Sequence, residues 1–526
     1  VTLIETDYTV GQDNIQPQIG PFGLDIHNPV FLISGLTIVA FVIFAILAPE
    51  QASTLFGWLR PTLTATFDEV FLFTGDVFVI LALVLMVSPL GKVRIGGTEA
   101  TPDYSYSGWF AMLFAAGMGI GLMFFGVSEP ISHYTSSLAD TAGSPDSWAP
   151  LGGAAGVELE ARRLAMAATI FHWGLHPWAI YAIVGLSLAI FAYNKGLPLS
   201  VRSMFYPIFG ERVWGWVGHV IDTLAVFATL FGLATSLGIG AQQANAGLNF
   251  LFGVPETDMS MVILIGGITG LALLSVVAGL DAGVKRLSEI NMVLAALLLA
   301  FVIAVGPTLL IFKGFFANLL AYGEYLPALA NPFGRSDTNF SQGWTAFYWA
   351  WWISWSPFVG MFIARISRGR TVREFIFCVL LIPSLVSVLW MTAFGGTAIT
   401  MLNEGYQDIA EADLPLKLFT MLSDLPLAGI TSFIAIVLVI VFFVTSSDSG
   451  SLVIDTITAG GKVDAPVPQR VFWASFEGLV AIALLLGGGL TALQAAAVST
   501  GLPFAIVLLL GCVALVKGLL SEPRGA

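Results

Sequence analysis

Ala115-Ala116-Gly117-Met118-Gly119-Ile120-Gly121 stands in mid-course of an apolar run covering residues 109–125. Three glycines at alternate positions strip side chains from the backbone and loosen a helix where a bilayer demands an intact one. The carbonyls and amides they expose need a neighbouring helix, a ligand or an ion to satisfy them. Close packing of small residues between helices would explain one such run, but a second unusual stretch argues for more. Residues 344–366 form another apolar segment and carry Trp355-Ser356-Pro357, where proline deletes a backbone donor and predicts a kink. The two segments lie five spans apart in the reading below, as expected of the first helices of two inverted repeats.

The rest of the chain fits this frame. Apolar residues make up 57% and charged residues only 10% of the 526, with mean hydropathy +0.87; soluble domains carry about 25% charged residues. Runs long enough to cross a bilayer, about 20 residues each, recur at 29–47, 67–87, 109–125, 164–193, 214–238, 259–277, 289–311, 344–366, 374–394, 428–457, 471–487 and 493–516. They are too continuous for a membrane barrel and leave no room for a sizeable soluble domain. The fold class is an all-α membrane protein of about twelve transmembrane helices. Cys378 and Cys512 both fall inside apolar runs, so no disulfide framework is implied. A net charge of −13 disfavours nucleic acid as a partner.

Basic residues test the span count. Of the 21, only Arg60, Arg162, Arg163, Lys313, Arg335 and Lys417 follow odd-numbered spans; the others, from Lys92 and Arg94 to Lys517 and Arg524, follow even-numbered ones. Positive charge collects on the cytoplasmic side, which places both termini there and the acidic loop 397–425 outside.

Aromatic residues carry the chemistry. Trp344, Trp349, Trp351, Trp352 and Trp355 crowd into twelve residues, and Trp173, Trp178 and Tyr181 form a second group on the fourth span. An interfacial belt accounts for Trp344, but not for the run that leads to Pro357. A quaternary ammonium donates no hydrogen bonds, so aromatic faces are its best partners, worth roughly 0.5–2 kcal/mol each. On the tenth span, Phe442 is followed by Thr445-Ser446-Ser447-Asp448-Ser449-Gly450. These hydroxyls and the loosened carbonyls of the third span are hard oxygen ligands for a small cation; hydroxyls bonded back to their own helix are the alternative. His172 and His176 flank Trp173 but lack a third ligand, which favours packing or hydrogen bonding over a metal. Asp222, Asp281 and Glu289 lie near span ends, within reach of the interface. Neither a nucleotide-binding glycine loop nor a nucleophile constellation is present, so the chain does not read as an enzyme and calls for no cofactor beyond a coupling ion.

Gly117-Met118-Gly119-Ile120-Gly121-Leu122-Met123-Phe124 and Trp349-Ala350-Trp351-Trp352-Ile353-Ser354-Trp355-Ser356-Pro357-Phe358-Val359-Gly360 resemble the signatures of the betaine/choline/carnitine transporter family, most of all its sodium-coupled glycine betaine symporters. The resemblance implies two extra helices before a five-plus-five inverted repeat, the amino-acid-transporter-like architecture. It divides the chain into an N-terminal cytoplasmic segment (1–28), two extra helices and a linker (29–108), a first repeat (109–311), an amphipathic connecting helix and loop (312–343), a second repeat (344–518) and a short tail (519–526). It implies a bacterial cytoplasmic (inner) membrane location, and a homotrimer built on the amphipathic stretch 309–329.

By motif, the family's substrate site falls on Met118, Trp173, Trp178, Tyr181, Trp351, Trp352 and Trp355. Its sodium site falls on the carbonyls of Ala115, Met118 and Phe442 and the hydroxyls of Thr445 and Ser446. A second sodium would use Thr229, Ser236 and the ring of Phe358, but Leu233 replaces an expected threonine and puts that site in question. The implied activity is sodium-coupled import, by alternating access, of an onium osmolyte such as glycine betaine, dimethylsulfoniopropionate or ectoine. A proton-coupled choline transporter and a sodium-independent exchanger are the alternatives; proton-coupled members tend to carry an acid where this chain has Gly121.

Overall fold

The computed structural model describes residues 3–279 and 281–525; the side chain of Asp281 lies outside the described residues. Helices occupy the positions of all twelve expected spans among them. The first two are Val30–Leu47 and Pro49–Val87; the third is divided into Tyr106–Gly117 and Ile120–Leu138, and the fourth into Glu158–Trp173 and Leu175–Ala189. The remainder are Trp216–Phe252, Asp258–Ala278, Asp281–Val305, Ala346–Ile366, Val372–Asn403, Ala428–Thr458, Val467–Leu486 and Gly489–Leu520. Ten are long and apolar enough to cross a bilayer, and the bent third makes eleven. The eighth, Ala346–Ile366, has the length at 21 residues but is rich in Trp and Ser and buried along most of its course.

Burial sorts the spans into an inner and an outer set. The fourth and fifth are enclosed almost throughout, whereas the sixth and seventh present Met259, Ile263, Leu271, Leu274, Val293 and Leu297 outward. The eighth packs on the fourth, the tenth on the fifth, and the second half of the third on the fourth and ninth. Helix Thr308–Ala330 supplies the expected amphipathic connection, with Leu309, Phe312, Phe316 and Leu320 exposed on one side. The N-terminal segment adds two small antiparallel pairs, Asn14–Ile15 with Ile26–His27 and Gln18–Ile19 with Phe22–Gly23. It is pinned to the loop after the tenth span, Asn14 Nδ2 donating to the Ala459 carbonyl at 2.9 Å and Lys462 pairing with Asp25 at 2.5 Å.

The third span breaks where the glycines predict. Its first half ends at Gly117, Met118 and Gly119 are extended, and the second half resumes at Ile120 turned by 61°. The break is held from outside. Trp390 Nε1 and Gln243 Nε2 donate to the carbonyls of Leu122 and Met123, at 3.1 and 2.8 Å.

The eighth span corrects the sequence reading: it is one uninterrupted helix through Pro357. Proline at 357 removes the amide that would bond the Ile353 carbonyl four residues back. The Ser356 hydroxyl donates to that carbonyl instead, at 2.7 Å, so no buried group is orphaned. The fourth span, by contrast, is interrupted at Gly174, which the sequence reading missed. Pro177 cannot bond the Trp173 carbonyl, and a Cβ on Gly174 would stand 2.8 Å from the Ile170 carbonyl oxygen. The amide of Leu175 is taken up by the Tyr322 hydroxyl of the connecting helix at 3.1 Å.

Replacing Ser356 by Ala leaves the Ile353 carbonyl unpaired, which costs about 1–3 kcal/mol. The thermal midpoint of the purified protein is expected to fall in Ser356→Ala and to recover when Pro357→Ala restores the amide. An unchanged midpoint in the single variant would show that the hydroxyl is not what carries the helix through Pro357.

Candidate substrate and ion sites

The interrupted third and fourth spans and the tryptophan run of the eighth line one common cavity. Met118, Trp173, Trp178, Tyr181, Trp351, Trp352 and Trp355 all line it, with the backbone of residues 116–122, Pro177, Ser236, Val359 and Ser387 completing the walls. The seven residues singled out from sequence therefore meet around one space. Trp351 and Trp352 stack at 4.8 Å; Trp173 stands edge-on to Trp352 at 4.9 Å, and Trp178 edge-on to Tyr181 at 5.1 Å.

Each of four cage indoles spends its N–H on the scaffold. Trp351 Nε1 donates to Ser236 Oγ at 3.0 Å, Trp352 Nε1 to the His172 carbonyl at 3.0 Å, Trp355 Nε1 to the Gly232 carbonyl at 2.9 Å, and Trp173 Nε1 to Glu129 Oε2 at 2.8 Å. Two χ angles and one hydrogen bond fix each ring and leave it no donor for a ligand. Gly121 makes the close approach possible: a Cβ there would lie 2.5 Å from the Trp173 ring and 3.2 Å from Trp351.

Glu129 and His133 were missed from sequence. Glu129 is fully buried, and its carboxylate accepts from His133 Nε2 (3.1 Å), His172 Nδ1 (2.5 Å), Trp173 Nε1 (2.8 Å) and the Tyr348 hydroxyl (2.5 Å). An acid and a histidine four residues apart within a span were the available signal, since intramembrane ionisable groups are rarely incidental. Ligand atoms of Glu129, His133 and His172 lie within 4.8 Å of one another, a spacing that a metal could use. Here those nitrogens are at hydrogen-bond distance from the carboxylate. His176 pairs with Asp76 at 2.9 Å, Asp222 with Arg202 at 2.5 Å, and Glu289 is exposed.

The residues of the sodium reading fall into two places. Ala115 and Met118 sit at the third-span break, where the Met118 amide bonds the Ala115 carbonyl at 3.2 Å. On the tenth span, Thr445 Oγ1 turns back on the carbonyls of Val441 (3.0 Å) and Phe442 (3.3 Å), and Ser446 is half-buried beside it. Thr229 is bonded to the Ala225 carbonyl at 2.7 Å, and Phe358 meets Trp355 edge-on at 5.2 Å. Leu233 fills the space against Gly450, where a Cβ would lie 2.3 Å from its methyl group.

Comparison with known proteins agrees with this geometry. The profile of the BCCT, betaine/carnitine/choline family transporter, matches residues 29–524. The chain belongs to that family. A glycine betaine/proline/choline transporter of Vibrio parahaemolyticus is 68% identical over 100% of this chain and 96% of its own length. From the same organism, glycine betaine transporter 1 is 55% identical (99% and 98%), and a glycine betaine/proline/choline/ectoine transporter is 51% identical (98% and 91%). The protein is thus a multi-pass membrane transporter.

The glycines of this transporter's third span are unequal. Gly119 is fully extended at φ 179°, with open space around its Cβ position, so Gly119→Ala is expected to change the Michaelis constant for uptake less than about twofold. Gly121→Ala must displace Trp173 or Trp351, an overpacking cost of about 1–3 kcal/mol, and should raise that constant about tenfold. Equal effects at the two positions in uptake assays would contradict the ring placement.

Proposed function

We propose that this transporter is a secondary symporter that imports a zwitterionic onium osmolyte, glycine betaine foremost, with sodium and by alternating access. The observation that carries the reading is the orientation of the cage. Four of its five indole N–H groups are spent on the scaffold, so those rings offer their faces to a cation that has no proton to donate. Another part of the lining suits the other end of a zwitterion. Residues 119–122 line the cavity where a helix begins at Ile120, and the first amides of a helix carry partial positive charge and lack helical partners. A carboxylate is their natural ligand. Dimethylsulfoniopropionate and ectoine share this pairing of delocalised cation and carboxylate, and the named activities of the Vibrio relatives include choline, proline and ectoine.

For the ion, we assign sodium to the carbonyls of Ala115, Met118 and Phe442 and the hydroxyls of Thr445 and Ser446. These are hard, uncharged oxygens; those of Ala115 and Met118 lie at a helix break, the setting in which broken transporter helices coordinate sodium, and those of Phe442, Thr445 and Ser446 lie on the intact tenth span. A second sodium at Thr229, Ser236 and the Phe358 ring would be weak, because the Leu233 methyls supply no oxygen and a poorly ligated buried ion keeps a desolvation cost. A homotrimer resting on the exposed apolar side of Thr308–Ala330, a bacterial inner-membrane location and cytoplasmic termini complete the reading; its supports are that apolar side and the basic-residue asymmetry.

Uptake into proteoliposomes with sodium and proton gradients imposed separately tests the proposal. Labelled glycine betaine is expected to accumulate with an inward sodium gradient and not with a proton gradient alone. Trp355→Leu should abolish uptake while the protein still reaches the membrane. Accumulation driven by protons alone would favour the choline-type alternative, and exchange without any gradient the exchanger.

A further prediction concerns the ion ligands. Thr445→Ala with Ser446→Ala should weaken apparent sodium affinity on the order of tenfold, and substrate affinity should follow through linkage. Unaltered sodium dependence would place the ion elsewhere.

A further inference from the structure

Behind the cage lies a charge that the transport reading does not use. Glu129 is fully buried, and its two oxygens face four donors: His133 and His172 on Oε1, Trp173 and Tyr348 on Oε2. A carboxylate has about four acceptor positions, and an acid proton would compete for one of them. The far nitrogen of His172 lies 2.8 Å from the Thr345 hydroxyl. One neutral tautomer satisfies both contacts: Nδ1–H donates to Glu129, and Nε2 accepts from Thr345. Arg335, on the outer side, is engaged by Asp337 at 2.7 Å. With His133 and His172 both neutral, the carboxylate keeps its charge.

Trp173 is a wall of the cavity, and Tyr348 stacks on Trp352 at 5.7 Å, one layer behind it. A donor N–H or O–H bonded to a carboxylate pushes electron density into its ring, and hydrogen bonds of this kind polarise one another in a low-dielectric interior. A richer ring has a more negative face, and that face is what holds an onium.

We propose that Glu129 is a specificity-determining positioning residue: through Trp173 Nε1 and the Tyr348 hydroxyl it sets the orientation of the cage wall and enriches its negative face, so that the cage selects a cationic headgroup over an uncharged one of the same shape. The inference rests on the cavity being the substrate site. It assigns Glu129 no contact with substrate, and it reads the Glu129–His133–His172 cluster as a hydrogen-bonded support and not as a metal centre.

The experiment compares glycine betaine with 3,3-dimethylbutanoate, in which carbon replaces the quaternary nitrogen, as competitors of labelled glycine betaine binding to the purified full-length protein. Glu129→Gln keeps the size and one acceptor oxygen but removes the charge. Its constant for glycine betaine is expected to rise about fivefold or more, with that of the carbon isostere nearly unchanged, so the ratio of the two narrows. A purely structural role would weaken both alike and leave the ratio intact, which overturns the proposal. If Glu129→Gln does not reach the membrane, Tyr348→Phe deletes one of the two ring couplings and leaves the carboxylate in place; the ratio should narrow by a smaller factor, and an unchanged ratio again overturns it. Trp355→Leu separates the two levels of inference. Unaltered glycine betaine binding there defeats the cavity reading and this proposal with it, whereas lost binding there with an intact ratio in Glu129→Gln defeats this proposal alone.

Discussion

In the core of a bilayer no water replaces a missing hydrogen bond, so every backbone amide or carbonyl freed from a helix costs several kcal/mol until something pairs with it. The architecture of this transporter follows from where that cost is incurred and how it is met. At Met118–Gly119 the third span gives up its ladder; Trp390 and Gln243 reach in from the ninth and fifth spans to hold the turn that follows, and the residues that begin the new helix line the cavity. At Gly174 the fourth span does the same, with Tyr322 taking the freed Leu175 amide. At Pro357 the cost is met within one turn by Ser356, and the helix continues. Interrupted helices thus occur where outside partners exist, and the cavity lies where two interruptions face one another.

The same constraint shapes the cage. An indole buried in a membrane protein must place its N–H on an acceptor, and the acceptors here are a carbonyl of an interrupted span (His172), a carbonyl of the fifth span (Gly232), a serine hydroxyl (Ser236) and a carboxylate (Glu129). Each bond fixes a ring before any ligand arrives, so little side-chain entropy remains to be lost on binding. The bonds also tie the eighth span to the fourth and fifth. Gly121, beside the third-span break, leaves no room for a side chain between that helix and two of the rings.

Much of this was legible in the residues. Length and continuity of the apolar runs dictated a helical membrane protein with twelve spans, because only a helix satisfies its own backbone in lipid. Alternating glycines marked the break at 117–121, since a chain without side chains there has no local reason to stay helical. Two aromatic groups at helical spacing marked the cavity walls. Proline at 357 misled because its effect depends on the hydroxyl beside it, and Gly174 passed unnoticed because its interruption depends on Tyr322, which is 148 residues away in sequence.

What only the tertiary structure decided is which polar groups meet. Glu129, His133, His172, Thr345 and Tyr348 come from the third span, the fourth span and the start of the eighth, and no spacing along the chain announces that one carboxylate gathers four donors. Leu233 stood out in sequence only for the hydroxyl it lacks; folded, its methyls close the gap against Gly450 between the fifth and tenth spans. The sequence by itself determined the class of fold, the place of the break and the aromatic character of the site, because these follow from local periodicity and from what lipid forbids. The tertiary structure decided the orientation of each ring and the charge behind it, because a hydrogen bond between distant residues exists only once packing has brought its donor and acceptor within about 3 Å.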